Sequence, residues 1–178
     1  MCHQIRNEDL GEDSSFSGHY DIDFKSVKPD RGVFGPFYPS HAKVMVKNSG
    51  YYPVRSENFR KAELCAICHT LYTPVIENGK VKGYFPEQTP YLEWLNSDYS
   101  PGVICQSCHM KGGRAKVTAI PPNAPVRDMK AHHFSGANVQ LLKIHGDLKG
   151  AERAENQIKS AAKVKIEICN TRKWADQG

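Results

Sequence analysis

The sequence predicts a mainly α-helical and irregular fold: short helices joined by long loops, one small hairpin and a C-terminal strand. Three observations predict it. Only 39% of the 178 residues are hydrophobic, while 14 glycines and 11 prolines are spread along the chain, so a large apolar core is hard to assemble. The helical periodicities are short and are repeatedly interrupted. Two strings, Cys65-Ala66-Ile67-Cys68-His69 and Cys105-Gln106-Ser107-Cys108-His109, share the pattern C-x-x-C-H, which organises a chain around something other than its own side chains.

That pattern is the attachment site of a c-type haem. The two thiols add across the haem vinyl groups as thioethers, and the adjacent His binds iron from the proximal side. Two spacer residues let one helical turn present both sulfurs along a porphyrin edge, with the His beneath the metal. One copy could arise by chance, but two in a chain this short point to haem c at two complete sites. Cys65, Cys68, Cys105 and Cys108 are then the attachment residues, and His69 and His109 the proximal iron ligands. Bound porphyrins also supply the apolar bulk that the composition lacks. The rival for the same cysteines is a zinc-stabilised, non-haem module with tetrahedral thiolates. The gap from Cys68 to Cys105 is longer than the usual ribbon spacing, and zinc does not explain a His after each pair. Disulfides within each pair would close very small loops.

The net charge of +5 is modest and its cations are scattered. With no basic patch interleaved by aromatics, a nucleic-acid partner is not expected, and some cations can pair with haem propionates. No apolar run is long enough to span a membrane, and the N-terminus has no signal-peptide core. Haem attachment to this motif takes place outside the cytoplasm, so a periplasmic or otherwise extracytoplasmic location is expected. Met1-Cys2-His3 suggests how the conflict resolves: it reads as the tail of a further C-x-x-C-H, with Met1 as the second spacer. Cys2 and His3 would then serve a third haem, shared with a Cys upstream, and the chain would be an internal piece of a longer exported protein. The bland alternative is an initiator Met followed by an ordinary Cys and His.

Three regions are expected. Residues 1–31 are a polar segment, acidic at first (Glu8, Glu12, Asp13), with few fold signals beyond Phe16, Tyr20 and Phe24. Residues 32–150 form the haem-bearing domain. Within it, Gly32, Gly35, Pro36, Pro39 and Pro53 argue for irregular wrapping around His41, and a short helix runs from an N-cap at Ser56 into Leu64 and the first motif. Thr73 to Lys82 reads as a hairpin turning at Asn78-Gly79. Tyr91 to Asp98 reads as a helix begun after Pro90 and ended before Pro101. Pro121, Pro122 and Pro125 form a stiff linker, followed by a helix through Val139, Leu141, Leu142 and Ile144. Residues 151–178 hold a helix with Ala151, Ala154, Ile158, Ala161 and Ala162 at helical spacing and Glu155-Lys159 as an i,i+4 pair. Val164, Ile166 and Ile168 then alternate with Lys165 and Glu167, which predicts a strand that either pairs with the hairpin or opens a further, truncated β domain. Cys169 has no partner motif and reads as a small semi-buried residue.

The run Thr89-Pro90-Tyr91-Leu92-Glu93-Trp94-Leu95-Asn96-Ser97, followed by Cys105 to Met110, resembles bacterial multihaem c-type cytochromes, the broad group related to tetrahaem electron carriers and hydroxylamine oxidoreductases. Ser56 to Thr70 is similar to their preceding haem segment. His132-His133-Phe134-Ser135-Gly136-Ala137-Asn138 is similar to their H-x-F-x-G-x-N segment. The resemblance covers about residues 33–168, is specific around 89–110 and 132–138, and is loose elsewhere. It implies that His132 is a distal iron ligand, with His133 as the alternative, and that His41 occupies a place where the family commonly carries another. His19 can serve the incomplete third site. His145 reads as an ordinary histidine and Met110 as packing, while Trp94, Tyr72 and Phe134 read equally as core or as porphyrin neighbours.

Paired His ligation saturates iron, favours electron transfer over substrate chemistry and implies low potentials. The expected function is electron transfer as part of a multihaem cytochrome, with other redox proteins or the rest of a larger multihaem protein as partners. The alternative is a piece of a multihaem reductase or oxidoreductase acting on small nitrogen or sulfur compounds. Such an enzyme keeps an open distal site, but the supply of histidines gives no hint of one, no C-x-x-C-K variant is present, and no catalytic residue is assigned.

Overall fold

The stretch expected to wrap irregularly around His41 instead forms a β-α-β unit in the computed structural model, which describes residues 2–6, 8–22, 31–119 and 121–166. Strands β1 (Gly32–Gly35) and β2 (Tyr52–Arg55) run parallel, in register from Gly32 against Tyr52 to Gly35 against Arg55. Parallel neighbours need a crossover, usually helical. Helix α1 (Ala42–Ser49) supplies it, with His41 at its N-cap position and Gly50 in the left-handed conformation (φ 72°) ending it. Pro53 is tolerated in β2 because every strand of a two-stranded sheet is an edge strand.

Beyond β2, Ser56 Oγ accepts from Asn58 N (3.3 Å) and caps a 3-10 turn, Glu57–Arg60, which leads into the short helix α2 (Glu63–Ala66). Strands β3 (Leu71–Glu77) and β4 (Lys80–Gln88) pair antiparallel, extending the hairpin well beyond Thr73–Lys82. Asn78 (φ 50°) and Gly79 (φ 72°) form its turn, the positive-φ pair that matches strand twist. Helix α3 (Pro90–Leu95) starts with Pro at its first position, where no backbone donor is lost, and α4 (Cys105–His109) follows. Strands β5 (Gly113–Lys116) and β6 (Val126–Met129) close a third two-stranded antiparallel sheet.

The expectation of a mainly helical and irregular fold is therefore corrected: helix covers 34% and strand 22% of the described residues, the strand in three small sheets. The physical reason is that Gly and Pro keep the helices to a few turns. The β-branched and aromatic residues between them (Val33-Phe34, Val75-Ile76, Tyr84-Phe85) satisfy their backbone by pairing with the nearest available strand.

Two compact units are present, residues 1–132 and 133–178. The core of the first is small. Phe16, Ala62, Ala66 and Tyr91 are buried together, with Tyr72, Leu92, Trp94, Ile104 and Cys105 packed around them. Phe16 meets Tyr91 edge-on (ring centroids 6.0 Å) and Tyr91 stacks with Trp94 (5.6 Å). In contrast, Val75, Ile76, Val81, Tyr84, Phe85, Leu95 and Tyr99 are exposed. The second unit is α5 (Val139–Ile144) packed on α6 (Leu148–Ala161). Asp147 caps α6 by accepting from Gly150 N (2.8 Å), and Lys159 pairs with Glu155 (2.8 Å). The expected strand does not begin at Val164, since residues 162–166 take no strand conformation; Ile168 and Cys169, like Phe24, lie outside the described residues. No helix among the described residues is long and apolar enough to cross a membrane.

A Cβ on Gly112 would lie 1.8 Å from the Met129 carbonyl oxygen, so only glycine lets the chain enter β5 beside β6. Gly112→Ala should destabilise the first unit by more than about 1 kcal/mol, measured as a lowered thermal midpoint.

Candidate functional site

Both C-x-x-C-H strings fold as a helical turn anchored by buried spacer residues, two in the first and one in the second. In the first, α2 ends at Ala66 and the turn continues through Cys68 N to Cys65 O (3.2 Å) and His69 N to Cys65 O (2.9 Å). Ala66 and Ile67 are fully buried, Cys65 is half-buried, and Cys68 and His69 are exposed. Residues 17 and 18 fasten the far end: Ser17 N donates to Thr70 O and Gly18 N to Ile67 O, both at 2.8 Å. The second string is α4 itself. Its spacer Gln106 is 4% exposed, with Nε2 donating to Lys61 O (2.7 Å), while Cys108 is half-buried and His109 exposed. Thus the two sulfurs of each string stand one turn apart, with the imidazole on the outside.

These hydrogen bonds and the shared core place the two strings side by side. The neighbouring Cys105 sulfur, with burial, raises the Cys65 thiol far above its ordinary range, while the Cys65 thiol lowers Cys105 to about 7 against the opposing effect of burial. Burial and, secondarily, Cys2 raise Cys68. Cys2, Cys65, Cys68, Cys105 and Cys108 are all free thiols. Among the described residues, no three His, Cys, Asp or Glu side chains gather as a metal-binding group, so the four converged ligands that tetrahedral zinc requires are not assembled.

The histidines differ in how their rings are held. His3 Nδ1 is 2.5 Å from Phe34 O, and His19 Nδ1 is 2.5 Å from Phe16 O. A carbonyl only accepts, so in both rings Nδ1 is the donor, which leaves Nε2 as the nitrogen on the side away from the carbonyl, the arrangement of a metal-ligating His with its orienting partner. His41 Nδ1 meets Ser40 Oγ at 3.0 Å, and a hydroxyl leaves the tautomer open. The His3 ring stacks on Phe59 (4.7 Å, 15°) and lies 5.9 Å from the His132 ring, at 33°. His132 is therefore brought to the His3 end of the unit. His19 is set beside the first motif by the Gly18–Ile67 bond, and His41 begins α1. A cleft of about 330 Å³, lined in part by Arg6, Phe34, Arg55 and Ser56, adjoins the Phe34 carbonyl that holds His3.

Three of these features leave no trace in the sequence. The Phe59 platform, the Phe34 carbonyl under His3 and the packing of Cys105 on the Ala62/Ala66 cluster all join positions far apart in the chain, and no local spacing encodes them.

The donor set suits a c-type haem. Each string presents two free thiols one turn apart and an exposed imidazole, on a backbone fixed from its buried side. In the reduced chain, iodoacetamide should label Cys105 with a rate that rises through about pH 7. Cys65→Ala removes the neighbour that lowers Cys105, so the profile should move toward the ordinary thiol range, as read by mass spectrometry across a pH series. No family model, curated protein or solved structure matches this chain.

Proposed function

We propose that the chain is an electron-transfer module carrying c-type haems at Cys65/Cys68 and Cys105/Cys108, with His69 and His109 as proximal ligands. The observation that carries this reading is that both strings fold as one helical turn anchored by buried spacers (Ala66 and Ile67 in the first, Gln106 in the second), with His69 and His109 exposed. When bound, the haems supply a one-electron iron couple. The polypeptide holds them: α2 and α4 fix the attachment sulfurs relative to one another through Gln106–Lys61 and the Ala62/Ala66 core, which keeps two redox centres close. The apolar residues left exposed around the first unit, Leu95 and Tyr99 among them, offer surface for porphyrin to cover.

His3 and His132 are the best-placed pair for a third iron, next to Cys2. Their rings lie 5.9 Å apart, and these two imidazoles would hold the iron if a third haem is bound. The Phe34 carbonyl orients His3. Electrons would be exchanged with other redox proteins or with the rest of a larger multihaem protein, outside the cytoplasm.

The reduced-minus-oxidised spectrum should show sharp low-spin haem c bands. Cys65→Ala with Cys68→Ala should remove one haem per chain by pyridine haemochrome and leave the others attached. A colourless, zinc-containing protein would refute the reading, and bands perturbed by nitrite or hydroxylamine would favour an enzyme instead. His132→Ala should convert one iron to high spin in the electron paramagnetic resonance spectrum, whereas His133→Ala should not.

A further inference from the structure

The β3–β4 hairpin presents a set of apolar side chains to solvent, although the first unit has little buried apolar surface. Side chains alternate between the two faces of a strand pair, and cross-strand partners share a face. The pairs Tyr72–Pro86, Pro74–Tyr84 and Ile76–Val81 therefore line one face. Tyr72, at its base, packs against the core, while Ile76, Val81 and Tyr84 are 65%, 54% and 68% exposed and both prolines are exposed as well. The opposite face is mixed, with the pairs Thr73–Phe85, Val75–Gly83 and Glu77–Lys80. A contiguous apolar stripe of this kind marks an interaction surface. Its edges are closed to a further strand. Proline has no N–H to give, so Pro74 and Pro86 each leave a donor missing from an outer edge. The register also shifts between Leu71 and Tyr72 and between Val75 and Ile76, which breaks the regular ladder. What stays open to a partner is a face, not an edge.

Charge decides which partner the face fits. The two register shifts leave Lys82 and Glu87 of β4 opposite no residue of β3, one toward the turn and one at the base, and both are exposed. A twofold axis lying between two such faces, perpendicular to the strands, lays β4 of one protomer over β4 of its partner in the opposite direction. That exchange brings Lys82 of each protomer over Glu87 of the other, so a single pairing is made twice. A partner bearing one sign of charge would instead meet one of the two residues with repulsion. We infer that the chain self-associates as a twofold dimer through this face, with Ile76, Val81 and Tyr84 packed between the copies and a Lys82–Glu87 pair at each end. Two faces of this size remove on the order of 1,000 Å² from water, the lower bound for a specific interface, so the dimer is a weak one in the micromolar range. The inference stands on the hairpin alone and does not rest on the function proposed above.

The test is sedimentation velocity on the full chain over a concentration series, with a dithiol reductant present to exclude dimers joined through cysteine. A monomer–dimer equilibrium that stops at the dimer is expected. Ile76→Ser with Tyr84→Ser should abolish it. Lys82→Glu and Glu87→Lys should each raise the Kd by at least about tenfold, because each reversal sets like charges together twice in the dimer. Lys82→Glu combined with Glu87→Lys should restore association, and far-ultraviolet circular dichroism should match the parent chain for every variant. A zero-length carbodiimide cross-link, formed in a mixture of chains of natural and heavy isotopic composition, gives a second reading. Lys82 and Glu87 of one strand stand about 17 Å apart, too far to be joined within a single chain, so a mixed-isotope Lys82–Glu87 peptide is expected. A chain that stays monomeric throughout, association that runs on past the dimer, or a dimer indifferent to these substitutions would overturn the inference. So would a monomeric chain whose hairpin face binds vesicles of anionic lipid.

Discussion

The packing of Ala62 and Ala66 beneath Phe16 and Tyr91 is the contact on which the first unit depends. Both alanines are fully buried, and their small side chains let three sequence-distant segments approach α2 closely: the N-terminal residues around Phe16, α3 through Tyr91, and the start of α4 through Cys105. In a chain with so little buried apolar surface, close approach of backbones replaces bulk. A larger side chain at either position would force these segments apart, because a packed interior has no slack to absorb it.

From that contact follows the orientation of both motifs. Because Ala66, Ile67 and Gln106 are the residues drawn inward, the alternate face of each turn, bearing the cysteines and the histidine, has to lie outside or at the margin. The spacers of C-x-x-C-H are thus not inert; they are the anchors that aim the chemistry. Gln106 shows the cost of this arrangement. Its amide nitrogen is satisfied by Lys61, but its Oε1 is buried without a hydrogen-bond partner, as is the Thr70 hydroxyl beside the first motif. Buried polar atoms of this kind are destabilising, and both sit next to the residues of the proposed sites.

Local signals were read well where they were strong. Asn78-Gly79 specified its turn because both residues tolerate positive φ, Ser56 and Pro90 marked helix starts by their capping and N1 chemistry, and the Glu155–Lys159 pair formed as the helical period required. Between residues 32 and 55, Gly and Pro suggest irregular chain, whereas Val33-Phe34 and Tyr52 to Val54 are strands that exist only because α1 returns the chain alongside. A parallel pair draws its stability from non-local hydrogen bonds, which leave little periodic trace in four-residue strands.

By itself, the sequence determined the chemistry of the candidate sites: the pairing of thiols with an adjacent imidazole, twice, is covalent information that no fold alters. It also determined the short-range elements, whose causes lie within a few residues. Only the tertiary structure decided which sites are neighbours. It packed Cys105 against the Ala62/Ala66 core, brought the His132 ring to within 5.9 Å of the His3 ring, and set His3 and His19 Nδ1 against the Phe34 and Phe16 carbonyls. Each of the first two joins residues separated by a long stretch of chain, and His3 by another to Phe34. Such contacts form because they bury surface and satisfy polar groups in three dimensions, and a spacing along one dimension does not record them.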